Sequence, residues 1–245
     1  MTDQRENPPC KVTFLSTVHP HPWAPTKGTF NRSMLTALSV HATVNAIVPV
    51  PWTERIRTRQ QIACPGYEVS TPTFWFLPRL APLTLAPALD FSLGRVLPGE
   101  ALPSPDVILT YWTDPDGTAA LHWARRIDRP MALIVGGSDI MLLSREPRRG
   151  SRMLDTIRRA DLVLAVGSRI HDRLLAAGVA EDRLRILRRG VDRSRFRPMD
   201  RGAARANLKL DPDAPTLLWV GRMMPVKGVD ILLQALQNAR LQGVQ

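Results

Sequence analysis

Residues 131–139 read MALIVGGSD and residues 162–168 read LVLAVGS. Each is a run of five apolar residues that stops at glycine and a small polar residue. The same pattern flanks them: Asp106–Thr110 (DVILT) upstream and Leu184–Leu187 (LRIL) downstream. Between these runs lie stretches with helical spacing of apolar residues, Gly117–Ile127, Ser151–Ala160 and Arg169–Ala177. Strands alternating with helices imply βαβ units around a parallel sheet. The runs lack an apolar–polar alternation, as expected of strands covered by helices on both faces.

The N-terminal half extends this pattern. Lys11–Val18 (KVTFLSTV) is a first strand that ends in His-Pro-His-Pro. Thr29–Ser39 places Phe30, Met34, Leu35 and Leu38 on one helical face, and Ala42–Val50 (ATVNAIVPV) reads as a second buried strand. Another short strand begins at Val69. The most lipophilic stretch, Phe74 to Pro98, is broken by Pro78, Arg79, Pro82, Pro87, Asp90 and Arg95. It falls short of the ~20 apolar residues of a membrane span. It reads as a helix and loop packed on the core, or as a segment lying on a membrane surface through Phe74, Trp75 and Phe76 beside Arg79.

After Arg188 the chain turns polar and arginine-rich as far as Pro215. Thr216–Val220 (TLLWV) then reads as a strand, Gly221–Gly228 as a loop and Val229–Leu241 as an amphipathic helix. One strand and one helix cannot make a domain. The expected organisation is therefore a Rossmann-like α/β domain over 1–198, a linker over 199–215, and an incomplete second domain over 216–245. A length of 245 residues fits one to two domains, and 44% hydrophobic with 22% charged residues is ordinary globular composition. Cys10 and Cys64 match no metal or redox spacing and read as reduced thiols. The polar N-terminus has no signal-peptide core, which predicts a cytoplasmic protein, free or peripheral on the inner membrane face.

The net charge is +11, and residues 145–205 alone carry 17 arginines against eight acids. Such a field attracts phosphates, nucleotides or an anionic membrane, although arginines on solvated helix faces give the same total. No nucleic-acid motif and no basic–aromatic platform accompanies it, so nucleic acid is not an expected partner. No GxGxxG follows the first strand, which argues against a dinucleotide-dependent oxidoreductase. His19 and His21 stand in the Pro-rich loop, while His41, His122 and His171 are scattered; no metal-ligand spacing results, and no metal or other cofactor is expected.

Ligands of open parallel sheets bind at the carboxyl ends of the strands. Thr26-Lys27-Gly28-Thr29 opens the first helix there, and Gly28 would let a phosphate approach backbone N–H groups, or simply make a turn. Tyr111-Trp112-Thr113-Asp114-Pro115-Asp116 follows another strand, with Thr113 at the rim and Asp116 as a helix cap. Gly136-Gly137-Ser138-Asp139 ends a third. Asp139 could orient a hydroxyl, assist proton transfer or cap the next helix. Arg222 and Lys227 share one loop between the last strand and helix; a guanidinium fork and an ammonium suit a diphosphate, and would stabilise it as a leaving group.

Gly221-Arg222-x-x-x-x-Lys227-Gly228-x-Asp230-x-Leu232-x-x-Ala235-Leu236 resembles the opening of the C-terminal domain of family-4 (group 1) retaining glycosyltransferases with the GT-B fold. Pro25-x-x-Gly28-x-Phe30, Pro49-Val-Pro-Trp52, Asp114-Pro-Asp-Gly117, Gly137-Ser-Asp139, Ala160-Asp-Leu-Val-Leu-Ala-Val-Gly-Ser168, Gly178-Val179 and Gly190-Val-Asp192 with Phe196 and Pro198 are similar to that family's motifs in the same order. The resemblance implies transfer of a sugar from a nucleotide-diphospho-sugar with retention and usually without a metal. The acceptor would be lipid-linked or a polysaccharide. Arg222 and Lys227 would hold the diphosphate and Gly28 would sit against the donor. Gly137, Ser138 and Asp139 would border the acceptor side of the cleft. Apart from the resemblance, Thr113 at its strand end and His19 or His21 in the loop after the first strand could also face that cleft, and Asp139 is the candidate catalytic group.

The chain departs from the family at several positions. Gly136 stands where many members have histidine, Thr29 where many have a second glycine, and Arg189 where asparagine is usual. The family's paired glutamates fall beyond Gln245, so the polypeptide alone is expected to be inactive or nearly so: a truncated product, or half of an enzyme whose second subunit supplies the rest. The other expectation is a basic module that docks on an anionic membrane or a partner subunit without turnover.

Overall fold

The computed structural model describes residues 9–56, 63–78, 81–96, 104–140, 146–221 and 223–237. It divides into two units, Met1–Gly190 and Val191–Gln245. Unit 1 is built on seven strands: β1 (Lys11–Leu15), β2 (Thr43–Ile47), β4 (Glu68–Ser70), β6 (Val107–Tyr111), β7 (Met131–Val135), β8 (Leu162–Ala165) and β9 (Leu184–Ile186). Their order is β4-β2-β1-β6-β7-β8-β9, and every pairing is parallel. A separate pair, β3 (Val50–Pro51) with β5 (Thr73–Phe74), is also parallel.

Neighbouring residues on each central strand face opposite sides of the sheet, which explains the unbroken apolar runs. Leu15, Ile108, Leu133 and Val163 lie in the core on one side. The helices on that side are α3 (Ala81–Val96), α4 (Thr118–Arg126), α5 (Pro147–Arg159) and α6 (Ser168–Ala176). They contribute Leu89, Leu121, Ile157 and Leu174. Phe14, Ala46, Leu109 and Ile134 form the opposite core with Leu35 of α1 (Thr29–Leu38). Full burial of a side chain such as Leu35 contributes roughly 2 kcal/mol. A short helix α2 (Trp52–Arg55) follows β3.

Several expected boundaries shift. The first strand ends at Leu15, because the next three residues turn into the β1–α1 loop. The stretch Ala42–Val50 divides into β2 and β3. The helix expected from Ser151 begins four residues earlier, with Pro147 in its first turn, where the missing N–H costs nothing. No helix among the described residues is long and apolar enough to cross a membrane.

Unit 2 corrects two expectations. The stretch read as a linker holds a helix, α7 (Arg201–Leu208), whose first turn is capped by Asp200: its Oδ1 accepts the Ala203 N–H at 2.8 Å. Thr216–Val220 is not a strand; Leu218 and Val220 are 83% and 84% exposed. An extended segment becomes a strand only when another strand takes up its N–H and C=O groups, and the described residues of unit 2 supply none. The final helix, α8 (Val229–Leu236), forms as expected within the described residues, entered through a short turn over Pro225–Lys227.

Candidate functional site

From β1 the chain runs outward through β2 and β4 on one side, then crosses back to β6 on the other side of β1 and runs outward to β7, β8 and β9. The carboxyl ends of β1 and β6 thus form the topological switch point, where open α/β sheets bind ligands. Three loops meet the sheet at this edge: residues 16–28 after β1, 112–117 after β6 and 136–139 after β7.

Asp116 ties the first two together. Its Oδ2 accepts the Thr17 N–H and the Thr17 hydroxyl, each at 3.0 Å, and lies 3.0 Å from Ser16 Oγ. Ser16 Oγ is also 2.9 Å from the Tyr111 carbonyl oxygen; with one proton it can donate to only one of the two at a time. Asp116 is fully buried, and Oδ1 has no partner among the described residues. Burial pushes its carboxyl up from 3.8 to about 7, against the pull of the Thr17 and Ser16 donors and, last, the Lys27 cation. It does not cap α4, whose N-terminus carries no side-chain cap.

Asp139 joins the other two loops. Its Oδ1 accepts the Thr113 N–H at 2.9 Å and its Oδ2 accepts the Gly136 N–H at 2.8 Å. Burial raises its carboxyl above the ordinary value, opposed by those two backbone donors. Both oxygens of this buried carboxylate are engaged by backbone N–H groups, so in this structure Asp139 braces the two loops. A third buried carboxylate, Asp114, is held by two arginines of α5: Arg149 Nε at 2.7 Å and an Arg152 terminal nitrogen at 3.2 Å. Part of the arginine surplus therefore braces the 112–117 loop.

Gly28 is the N-cap of α1 at φ 65°, and a Cβ there would lie 2.5 Å from the Val18 carbonyl oxygen. Only glycine fits, and Asn31 Nδ2 fixes the same carbonyl at 2.7 Å. Gly228 opens α8 in the same conformation, at φ 63°. Each of these glycines is preceded by a lysine, Lys27 or Lys227. Lys227 is exposed and has no ion pair among the described residues. Arg222 lies outside the described residues.

At the end of β7, Gly137 and Ser138 are exposed, and a Cβ at Gly137 would meet open space, whereas Thr113 is buried. A Cβ at Gly136 would lie 2.8 Å from the Tyr111 hydroxyl. That phenol occupies the room a side chain at 136 needs, which accounts for glycine at this position. His19 is buried beneath the loop: Nδ1 is 3.1 Å from the Pro20 carbonyl, Nε2 is 2.9 Å from the Tyr67 hydroxyl, and burial lowers its pKa. It supports the loop and has no free ring nitrogen to offer. His21 is also buried and stacks on Trp23 (4.6 Å between centroids), but neither nitrogen has a partner among the described residues. Burial, then the Lys27 cation, push it down to about 4.

Residues 46–195, well over half of the chain, match the family described as Glycosyltransferase Family 4. The chain belongs to Glycosyltransferase Family 4. Among solved structures it is similar to sucrose-phosphate synthase from Thermosynechococcus elongatus (TM-score 0.73, 18% identity, covering 96% of this chain and 61% of that one). It is also similar to HepE of Anabaena in complex with UDP and glucose (TM-score 0.61, 16% identity, 97% and 60%). A third is UDP-N-acetylglucosamine 2-epimerase from Rickettsia bellii (TM-score 0.54, 17% identity, 94% and 58%). The family-4 chain thus spans about three-fifths of the length of these structures. No curated protein matches it. Its seven-stranded parallel sheet with helices on both faces is the Rossmann-like N-terminal domain fold of GT-B enzymes.

The strand-end loops were legible in the sequence, but the contacts that Asp116 and Tyr111 make were not. A Ser-Thr pair directly after the first strand was the available signal for Asp116. Nothing local marked Tyr111.

Proposed function

We propose that this chain is the acceptor-side part of a glycosyltransferase that moves a sugar, with retention of configuration, from a nucleotide-diphospho-sugar to a lipid-linked or polysaccharide acceptor. Family membership supports the reaction class. The observation that carries the reading is the convergence of three braced loops at the β1/β6 switch point, with Gly28 pressed against Val18 and with Gly137 and Ser138 open to solvent. In this reading Arg222 and Lys227 hold the diphosphate, Gly28 faces the donor, and Gly137 and Ser138 border the acceptor. Thr113 and His19 shape the loops beneath. An acceptor hydroxyl oxygen bonds to the anomeric carbon as the bond from that carbon to the phosphate oxygen breaks. The nucleoside diphosphate leaves with the bonding pair, its growing charge offset by the two cations, and the hydroxyl proton passes to phosphate or solvent. No metal is required. Turnover is proposed for an assembly that also contains the family's glutamate pair. The test is titration with UDP, GDP and ADP: Arg222→Ala and Lys227→Ala should each weaken binding about tenfold. Unchanged affinity in both variants overturns the clamp.

A second reading, a non-catalytic module on an anionic membrane, is favoured by one surface. Trp75 (66% exposed) stacks on Trp52, and Phe91 (65% exposed) lies under the Arg95 guanidinium at 5.0 Å, with exposed Leu77 close in sequence. Sedimentation with anionic and neutral vesicles at two salt concentrations separates the readings; binding lost in a Trp75→Ala, Phe91→Ala variant supports docking, and absent or salt-insensitive binding removes it.

A further inference from the structure

Arg189 occupies an unusual place. It follows β9, the last strand of the sheet. Its guanidinium nevertheless lies over the ring of Phe30 at 3.9 Å and over that of Tyr111 at 5.0 Å. Phe30 is in the first turn of α1 and Tyr111 ends β6, so both rings stand at the switch point. They pack edge-to-face on each other, 5.1 Å apart. The arginine is exposed and has no carboxylate or other hydrogen-bond partner among the described residues. Other arginines of unit 1 have such partners: Arg125 pairs with Asp161, Arg126 with Asp90, and Arg149 and Arg152 with Asp114. The Tyr111 hydroxyl, beside Gly136, is likewise without a hydrogen-bond partner among the described residues.

We propose that Arg189, seated over the rings of Phe30 and Tyr111, is an anion-binding residue of unit 1 that takes a phosphate group of the ligand. Cation–π contact with two rings restrains the side chain, and its N–H groups meet no acceptor among the described residues. A planar guanidinium without an internal acceptor is suited to two phosphate oxygens, and the phenol is a further donor beside it. Neutral sugar hydroxyls alone would not need a cation here; an aromatic seat and an amide would serve. The inference rests on the glycosyltransferase reading. The shared chemistry is a phosphate that belongs either to the donor's diphosphate or to a phosphorylated acceptor.

The test is calorimetric titration of the 245-residue chain and of Arg189→Gln, Arg189→Lys and Tyr111→Phe with UDP, inorganic pyrophosphate and glucose 6-phosphate. Arg189→Gln should weaken the phosphate ligand about tenfold or more, with the difference shrinking at high salt. Arg189→Lys, which keeps charge but loses the flat fork, should fall between, and Tyr111→Phe should lose about threefold. Loss confined to UDP and pyrophosphate assigns the donor; loss confined to glucose 6-phosphate assigns the acceptor, and if UDP binds to none of the chains while Arg189→Gln weakens glucose 6-phosphate, the donor reading falls and Arg189 stands. Equal affinities of wild type and Arg189→Gln for all three ligands overturn the assignment. A lower melting temperature with unchanged affinities assigns Arg189 to structure only. Should Arg189→Gln not fold, the Lys and Phe variants decide by the same criteria. If the wild type binds none of the three, both the donor reading and this proposal are refuted.

Discussion

Replacing Asp116 by asparagine changes how stability depends on pH, and the buried carboxyl fixes the sign. Its folded-state pKa is raised from 3.8 to about 7, so between those values the folded chain holds a proton that the unfolded chain releases. Stability from this group is complete below the unfolded value, declines as pH rises toward the folded value, and is constant above it. A shift of about 3 units corresponds to roughly 4 kcal/mol in total, of which about 2.5 kcal/mol falls between about pH 5 and about pH 8. Asparagine keeps the shape and an acceptor for the Thr17 N–H but cannot ionise. Relative to wild type, Asp116→Asn should therefore gain about 2.5 kcal/mol from pH 5 to pH 8. His19 and His21, whose burial lowers their pKa values, act in the opposite direction as pH falls. They are present in both proteins and cancel in the difference. Urea unfolding followed by tryptophan fluorescence at the two pH values measures it. A difference that does not change with pH would falsify the account of a buried, neutral Asp116.

Three further outcomes follow from single contacts. Gly28→Ala forces a Cβ to 2.5 Å from the Val18 carbonyl oxygen in a left-handed conformation, and should cost about 2 kcal/mol or more, read as a lowered urea midpoint. Arg149→Met with Arg152→Met strips both cations from the buried Asp114 carboxylate and should cost about 3 kcal/mol; adding Asp114→Asn should restore part of it. His21→Phe removes two buried ring nitrogens without partners. It should leave stability at neutral pH unchanged or raise it by about 1 kcal/mol, and should reduce the loss of stability on acidification from 6.5 to about 4.

The centre of the sheet was legible because its strands are covered on both sides, so that β7 and β8 appear as uninterrupted apolar runs. Met131–Val135 is buried at every position. The pair Val50–Pro51 with Thr73–Phe74 was not legible, since two-residue strands leave no periodicity to read. Loops at the strand ends could be located from their glycines, but their chemistry depended on partners far away. Ser16 and Asp116 are 100 residues apart. Asp139 read equally as a group that orients or deprotonates a hydroxyl or as a cap of the next helix, and only the fold brings the Thr113 and Gly136 N–H groups onto its two oxygens. Arg189 read as a substitution of asparagine, and only the fold brings it onto Phe30 and Tyr111.

The failure of Thr216–Val220 to form a strand separates intrinsic preference from pairing. Its sequence, TLLWV, has the β-branched and aromatic composition of a strand, yet no described residue pairs with it, and α7 and α8 have no buried residues. A strand of five residues gains its stability from a neighbour's hydrogen bonds and from the faces it covers. Backbone amides of 216–220 should therefore exchange with solvent within seconds in the 245-residue chain, while those of β1, β6 and β7 remain protected for as long as unit 1 stays folded. Hydrogen exchange read by mass spectrometry distinguishes the two segments within one sample. Protection of 216–220 equal to that of β7 would mean that the segment already has a pairing partner, and the pairing argument would then be wrong.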